Sequence, residues 1–297
     1  MRVLLIDVDS IIPNLALMHL STFYKTRERC QVGFNVSDPD KVYASIIFSK
    51  NRHLCDGLRF LYPNAEIDIG GSGYDLHKKL PEGVDKLMPD YSLYPDYPYD
   101  LGFTTRGCDR NCYFCIVNKK EGNFHIHQHP SEFHDPSHKG ITLMDNNILW
   151  DKDWFFEVTD WIIKNKLRVD FNQGLDIRLI DDDIAKRISE LRPIKNWHFA
   201  FDSMNYKDAV ISGIETLNRQ GVNMRHDSNF YVYLHDDDQF EDALERIKIL
   251  REQNVLPYLM INPESKRTQR MSNLKRYTRP WVFFLTEFEQ YDRRIRA

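Results

Sequence analysis

The sequence predicts an α/β protein: a small Rossmann-like α/β region over residues 1–88, a linker at 89–99, and a partial (β/α)6 barrel with a C-terminal extension over 100–297. Three observations carry this. Short β-rich runs alternate with segments of helical period along most of the chain. Six such runs follow residue 100, too few for a closed eight-fold barrel and suited to an open one. Several of them end on a polar residue, namely Asp145, Gln173, Asp202, His235 and Asn262, and ligands of α/β folds bind at the carboxyl ends of strands.

Taken in order, Arg2–Asp7 is an apolar run followed by a turn with Pro13. Asn14–Tyr24 carries Leu15, Leu17, Met18 and Phe23 in a pattern compatible with a helix. Val42–Phe48 and Ala65–Ile69 are two more strands, the second leading into Gly70-Gly71-Ser72-Gly73. Pro89–Pro98 is rich in Pro and Tyr and reads as an extended linker. The six later strands are Leu101–Thr105, Ile141–Asp145, Arg168–Gln173, His198–Asp202, Tyr231–His235 and Tyr258–Asn262. Helices are predicted at Lys152–Lys166, Asp182–Leu191, Lys207–Asn218 and Gln239–Gln253. In the last, Phe240, Ala243, Leu244, Ile247 and Leu250 form one apolar stripe.

Composition excludes several function classes. With 42% hydrophobic and 13% aromatic residues the 297-residue chain can build a core, which excludes a disordered chain. A net charge of −4 excludes a protein that coats nucleic acid generally. The longest apolar runs, such as Val3–Ile6 and Trp281–Leu285, are too short to span a bilayer. The N-terminus lacks the long apolar region and cleavage site of a secretion signal, so a soluble, cytoplasmic protein is expected.

The five cysteines are Cys30, Cys55, Cys108, Cys112 and Cys115. An odd number in an unsecreted chain argues against a disulfide framework. Three lie in Cys108-Asp109-Arg110-Asn111-Cys112-Tyr113-Phe114-Cys115, a CxxxCxxC run after a predicted strand and Arg106-Gly107. Three thiolates on one loop can hold three corners of a [4Fe–4S] cube, leaving one iron open to chelate a small molecule. Gly107 would allow close backbone approach, and Arg106 and Arg110 would soften the cluster's negative charge. A zinc site completed by His125 or His127 is the alternative.

This motif resembles that of the radical S-adenosylmethionine (radical SAM) superfamily, in which an aromatic precedes the last cysteine; here it is Phe114. The resemblance covers residues 100–262. It implies a partial (β/α)6 barrel with the loop after its first strand. It also implies a cluster whose open iron binds SAM, one-electron cleavage to methionine and a 5′-deoxyadenosyl radical, and a flavodoxin- or ferredoxin-type reductant. By the same resemblance Asp145-Asn146-Asn147 matches the segment that accepts the SAM ammonium, with Asp145 and Asn147 as contacts. Gln173, Asp176 and Arg178 match the segment that holds the SAM carboxylate or ribose, where the planar fork of an arginine suits a carboxylate. Asp202 and Ser203 match the element after strand four, with Phe201 and Asp202 standing where the family has Gly and Glu. The bland reading of the Asp181–Asp183 and Asp202-Ser203 positions is helix capping.

A small α/β layer before the barrel resembles cobalamin-binding radical SAM proteins through Pro13–Leu17 and Gly70–Gly73. The DxHxxG signature is absent, so a layer that shapes the substrate cavity is preferred over one that binds cobalamin. Thr105–Cys108 and Cys115–Gly122 also resemble methylthiotransferases. Those carry three further cysteines for a second cluster, where this chain has only Cys30 and Cys55.

Two more constellations stand out. His125, His127, His129, His134 and His138 crowd one segment, which reads as an exposed stretch after the cluster loop; read as a strand, His125–His129 would place three imidazoles on one face, with a metal or proton-transfer role as the alternative. Lys266, Arg267, Arg270, Lys275, Arg276 and Arg279 form a basic run that suits either a phosphate-bearing partner or a solvated helix face. The expected function is a cytoplasmic, low-oxygen radical SAM enzyme. Its substrate is guessed to be a nucleotide or nucleic-acid base, with a peptide as alternative. Non-catalytic alternatives are an iron–sulfur electron carrier and a zinc-stabilised binding module.

Overall fold

In the computed structural model, which describes residues 1–291, Arg2–Asp7 forms strand β1 over the predicted range. Helix α1 (Leu15–Lys25) starts at Asn14, whose side-chain oxygen accepts from the Leu17 N–H at 3.3 Å. The Asn14 amide also donates to the Ser45 hydroxyl at 2.8 Å, so the cap ties the helix to a neighbouring strand. Strands β2 (Gln31–Gly33) and β3 (Lys41–Ser45), helix α2 (Leu58–Leu61) and strand β4 (Glu66–Gly70) follow. The four strands form one all-parallel sheet in the order β2-β1-β3-β4. β2 was not predicted; at three residues on a sheet edge it is too short to carry a period.

This sheet is covered on both faces, as parallel sheets require. On one, Val3, Leu5 and Tyr43 pack with Leu17, Leu20 and Tyr24 of α1. On the other, Ala44 and Ile46 pack with Cys55 and Leu58. After β4 the chain turns at Gly71, where φ is +94° and a Cβ would overlap the Ile46 carbonyl oxygen. Both the sign of φ and the close approach demand glycine there.

Residues 89–99 are not the loose spacer expected from their composition. Three tyrosine hydroxyls anchor them: Tyr94 donates to Asp7 at 2.6 Å, Tyr91 to the Phe133 carbonyl at 2.6 Å, and Tyr97 lies 2.7 Å from the Thr142 hydroxyl. The predicted strand Leu101–Thr105 is two pieces, β5 (Asp100–Gly102) and β6 (Thr105–Arg106). Helix α3 (Val117–Glu121) and strands β7 (His125–Ile126) and β8 (Gly140–Leu143) complete this part. β5 pairs with β8 in parallel and β6 with β7 antiparallel. The chain divides into two compact units after Asn146, not within 89–99.

The second unit begins at Asn147. Its elements are α4 (Lys152–Lys164), β9 (Arg168–Phe171), α5 (Asp182–Glu190), β10 (Trp197–Ala200), α6 (Lys207–Arg219), α7 (Met224–Asp227), β11 (Ser228–Leu234), α8 (Phe240–Glu252), β12 (Leu256–Ile261), α9 (Gln269–Tyr277) and α10 (Pro280–Phe283). The four predicted helices are all present. Asp151 and Asp181 cap α4 and α5, accepting from Trp154 and Ile184 N–H groups at 2.9 Å. Strands β10, β11 and β12 form a parallel sheet. The apolar stripe of α8 is buried, and the helix packs on β11 and β12. The apolar run Trp281–Leu285 packs through Phe283, while Trp281 and Leu285 are exposed. The expected C-terminal extension continues to residue 297, and 292–297 lie outside the described residues. The fold is thus mixed α/β with parallel sheets. Among the described residues no helix is long and apolar enough to cross a membrane.

Gly71→Ala is expected to destabilise the first unit by about 2 kcal/mol or more. Gly70→Ala, whose Cβ would meet only the Lys78 side chain at 3.8 Å, is expected to change stability far less. Urea midpoints followed by circular dichroism compare the two; equal midpoints would remove the strain argument.

Candidate metal centre

The cysteine run lies on an excursion whose base is the β6–β7 ribbon, with Thr105 opposite Ile126 and Arg106 opposite His125. At the entry to this ribbon stands Asp145, just after β8. Its Oδ1 accepts from the Thr104 N–H at 2.7 Å, the Thr104 hydroxyl at 3.0 Å, the Thr105 hydroxyl at 2.9 Å and the Thr105 N–H. Past Gly102, where β5 ends, the backbone N–H groups of Thr104 and Thr105 are directed at this carboxylate, not at a strand. Oδ2 of Asp145 is buried with no hydrogen-bond partner among the described residues. Burial pushes this carboxyl up to about 6, against the lowering pull of the threonine donors.

Two asparagines extend the anchoring. Asn146 Oδ1 accepts from the Gly107 N–H at 3.0 Å, and Asn118 Nδ2 donates to the Cys108 carbonyl at 2.6 Å. Gly107 has φ of +73°, and a Cβ there would overlap the Asn123 carbonyl, so the two arms of the loop touch backbone to backbone. The Cys108 N–H then donates to the Gly122 carbonyl at 3.2 Å. Arg106, expected to face the cluster, bonds Glu121 through Nε at 2.7 Å and stacks on Phe103 at 4.2 Å. Burial raises the Glu121 carboxyl, but Arg106 and Lys120 outweigh it and hold it below the ordinary value.

Within the loop all three cysteines are half-buried, and none is in a disulfide. The Arg110 N–H points at the Cys108 sulfur at 3.4 Å and the Val117 N–H at the Cys115 sulfur at 3.5 Å. Cys115 N–H donates to the Cys112 carbonyl at 3.0 Å, closing a turn between them. Phe114 is half-buried and meets the exposed Tyr113 ring edge-on at 5.1 Å. Among the described residues no three His, Cys, Asp or Glu side chains are gathered tightly enough to hold a single metal ion. Around one zinc, sulfurs at about 2.3 Å from the metal would have to crowd together. In a cube each thiolate takes a different iron, so the donors stand further apart. The three thiols share one short loop, and the sulfurs of Cys108 and Cys115 each face a backbone N–H. Cys30 and Cys55 lie elsewhere, Cys30 half-buried beside β2 and Cys55 buried in the first sheet's core.

The five histidines separate into different tasks, and a strand face shared by His125, His127 and His129 does not form because β7 ends at Ile126. His125 is exposed. His127 has Nε2 at 3.9 Å from Asp85, and burial with Arg106 nearby holds it below the ordinary histidine range. His129 caps the turn at Pro130–Glu132. His134 and His138 both direct Nδ1 at the fully buried Asp100 carboxylate, at 2.5 and 2.9 Å. Sequence reasoning missed Asp100; its signal is an acid at the first position of a buried strand.

In the second unit Asn147 Nδ2 donates to Asp176 at 3.3 Å, and its Oδ1 is buried with no hydrogen-bond partner among the described residues. Asp176 binds the Arg178 guanidinium at both oxygens, at 2.6 and 2.9 Å, and that guanidinium lies 4.4 Å from the Tyr206 ring. Asn147, Asp176 and Arg178 are therefore brought together, whereas the Gln173 side chain is exposed. Ser203 caps the turn at Met204–Tyr206, as the bland reading expected. Asp202 instead accepts from the Tyr233 N–H at 2.9 Å, and burial pushes its carboxyl up. The missed residue here is Arg246, buried on α8. It donates to the carbonyls of Phe201 at 2.7 Å and Tyr233 at 3.1 Å and pairs with Asp242 at 2.8 Å. It follows the stripe residue Ala243 by three, which marks it as inward-facing.

Asp145 makes stability pH-dependent. Between 3.8, its unfolded value, and about 6, the folded chain keeps a proton that the unfolded chain has released. Stability therefore falls as pH rises through that window, by about 3 kcal/mol, and levels off above it. Asp145→Asn keeps an oxygen for Thr104 and Thr105 and is expected to remove this share of the slope. Urea unfolding of both proteins at pH 4.5, 5.5 and 7.5 checks it; parallel curves would refute the assignment.

Compared with known proteins, the chain matches no family model and no curated protein.

Proposed function

We propose that this chain is a radical SAM enzyme, holding a [4Fe–4S] cluster on Cys108, Cys112 and Cys115. The observation that carries the reading is the three-thiol loop, braced at its base by Asp145, Asn146 and Asn118. When bound, such a cluster would supply the electron that cleaves SAM to methionine and a 5′-deoxyadenosyl radical. The protein's share is to hold the three thiolates and keep their loop in place. The N–H groups of Arg110 and Val117 point at the sulfurs of Cys108 and Cys115.

For SAM, the resemblance assigns the ammonium to Asp145 and the carboxylate to Arg178. Support for the first is the unpartnered Oδ2, an acceptor of the kind a cationic amine needs. For the second, a ligand carboxylate at Arg178 would replace Asp176, whose two hydrogen bonds have the same fork geometry. Asn147, Asp202, Ser203, Gln173 and Phe114 are the further proposed contacts. Outside the antiparallel β6–β7 ribbon, strands and helices alternate from β5 to β12, as a partial (β/α)6 barrel would require. The reading includes a cytoplasmic setting and a flavodoxin- or ferredoxin-type reductant, and it leaves the N-terminal sheet without cobalamin.

After anaerobic reconstitution and dithionite reduction, the wild type is expected to convert SAM to 5′-deoxyadenosine, measured by chromatography. Cys112→Ala is expected to give only the protein-free background. No product from the wild type, undiminished product from Cys112→Ala, or a colourless protein with stoichiometric zinc would overturn the reading.

A further inference from the structure

The sheet β10-β11-β12 has two unlike faces. Phe199, Phe230, Val232, Leu234, Leu259 and Ile261 are buried on one. On the other, Ala200 is exposed, Tyr231 and Tyr233 are half-exposed, and Tyr258 and Met260 are 52% and 44% exposed. The strand register sets Ala200 opposite Tyr231 and Tyr231 opposite Tyr258, one row across three strands. The rings in and beside that row touch: His198 lies 5.3 Å from Tyr231, tilted by 33°, and Tyr231 lies 5.7 Å from Tyr258, edge-on. Ala200 places a methyl where its neighbours carry rings, so the ground beside Tyr231 is open.

Charge at the edge of this row points to the occupant. Lys275 on α9 sits 5.7 Å from the Tyr258 ring, with Arg267 beside it. Burial and the Arg267 charge hold the Lys275 ammonium below its ordinary value, with no carboxylate acting against them. Arg270, in the same basic run, is by contrast neutralised by Asp237 and Glu241. At the other edge Asp170 is paired with Lys195 at 3.1 Å. The face thus offers exposed aromatic surface with two adjoining cations that lack a counter-ion among the described residues. Flat π-surface with uncompensated positive charge complements a flat, negatively charged ligand.

We propose that this face binds a nucleobase carrying a phosphate, with Tyr231 and Tyr258 as stacking surfaces and Lys275 and Arg267 as phosphate-binding cations. The source is a single-stranded nucleic acid or a free nucleotide. As an assignment of substrate class it rests on the radical SAM reading; as a binding surface it is measured without any cluster chemistry.

The test is fluorescence anisotropy of the full chain with a labelled ten-nucleotide single-stranded RNA and its DNA counterpart, with unlabelled 5′-mononucleotides as competitors. Saturable binding is expected. Tyr258→Ala should weaken it about ten- to a hundredfold, while Tyr258→Phe, which keeps the ring, should retain it. Arg267→Gln with Lys275→Gln should weaken binding and flatten its dependence on salt, by about 0.7 in log–log slope for each phosphate no longer neutralised. Full competition by a mononucleotide identifies a free nucleotide as the source, and none identifies a strand. Nucleotide binding is measured without cluster or SAM, so absence of 5′-deoxyadenosine from the wild type with binding intact defeats the cluster reading alone. No binding at millimolar nucleotide, equal binding of a blunt duplex, or affinity unchanged in Tyr258→Ala and in the double variant would overturn the proposal. So would a chain that self-associates through Tyr258 and binds no nucleotide.

Discussion

A carboxylate withdrawn from water and surrounded by donors on one oxygen holds the cysteine loop in place. Asp145 joins the end of β8 to the entry of the loop through both backbone and side chains of Thr104 and Thr105. Burying a carboxylate costs free energy unless hydrogen bonds compensate, and here compensation is confined to Oδ1. The result is a rigid base on which Asn146, Asn118 and Gly107 set the loop backbone, leaving the sulfurs to the half-exposed side.

The second unit braces its strand ends in a similar way. Asp176, Arg178 and Asn147 satisfy one another, and Arg246 caps the carbonyls at the ends of β10 and β11 from within α8. Burial of Arg246 is tolerated because three acceptors receive its guanidinium. Polar residues at strand ends therefore carry two roles that compete. One set is committed to bracing. Another, including Asn147 Oδ1, keeps acceptor capacity unused. A ligand would bind at the second set and exchange partners with the first.

The unequal faces of the β10-β11-β12 sheet follow from where its apolar residues stand. β11 alternates buried and half-exposed residues along its whole length, and α8 packs on this strand. Tyrosines on the open side suit a surface that must be stable in water and still offer flat apolar area, since each carries a polar tip on an aromatic body.

Elements with a strong local period were legible in the chain itself. β1, α1, α4, α5, α6 and α8 are set by side-chain spacing and by caps such as Asn14, Asp151 and Asp181, all interactions within a few residues. The thiol spacing was legible for the same reason, since C-x-x-x-C-x-x-C is a local pattern. What the sequence could not determine is which partner each polar group takes. Asp145 was read as a ligand contact and is also the anchor of a loop forty residues earlier in the chain. The histidines crowd one segment of the sequence, where His125, His127 and His129 could have shared a strand face, and the group is divided among Asp85, Asp100 and a turn. The Pro- and Tyr-rich segment was read as a spacer and is bonded down by three hydroxyls. Only the tertiary structure decided these, because a buried hydrogen bond depends on which distant groups come to share a space closed to water.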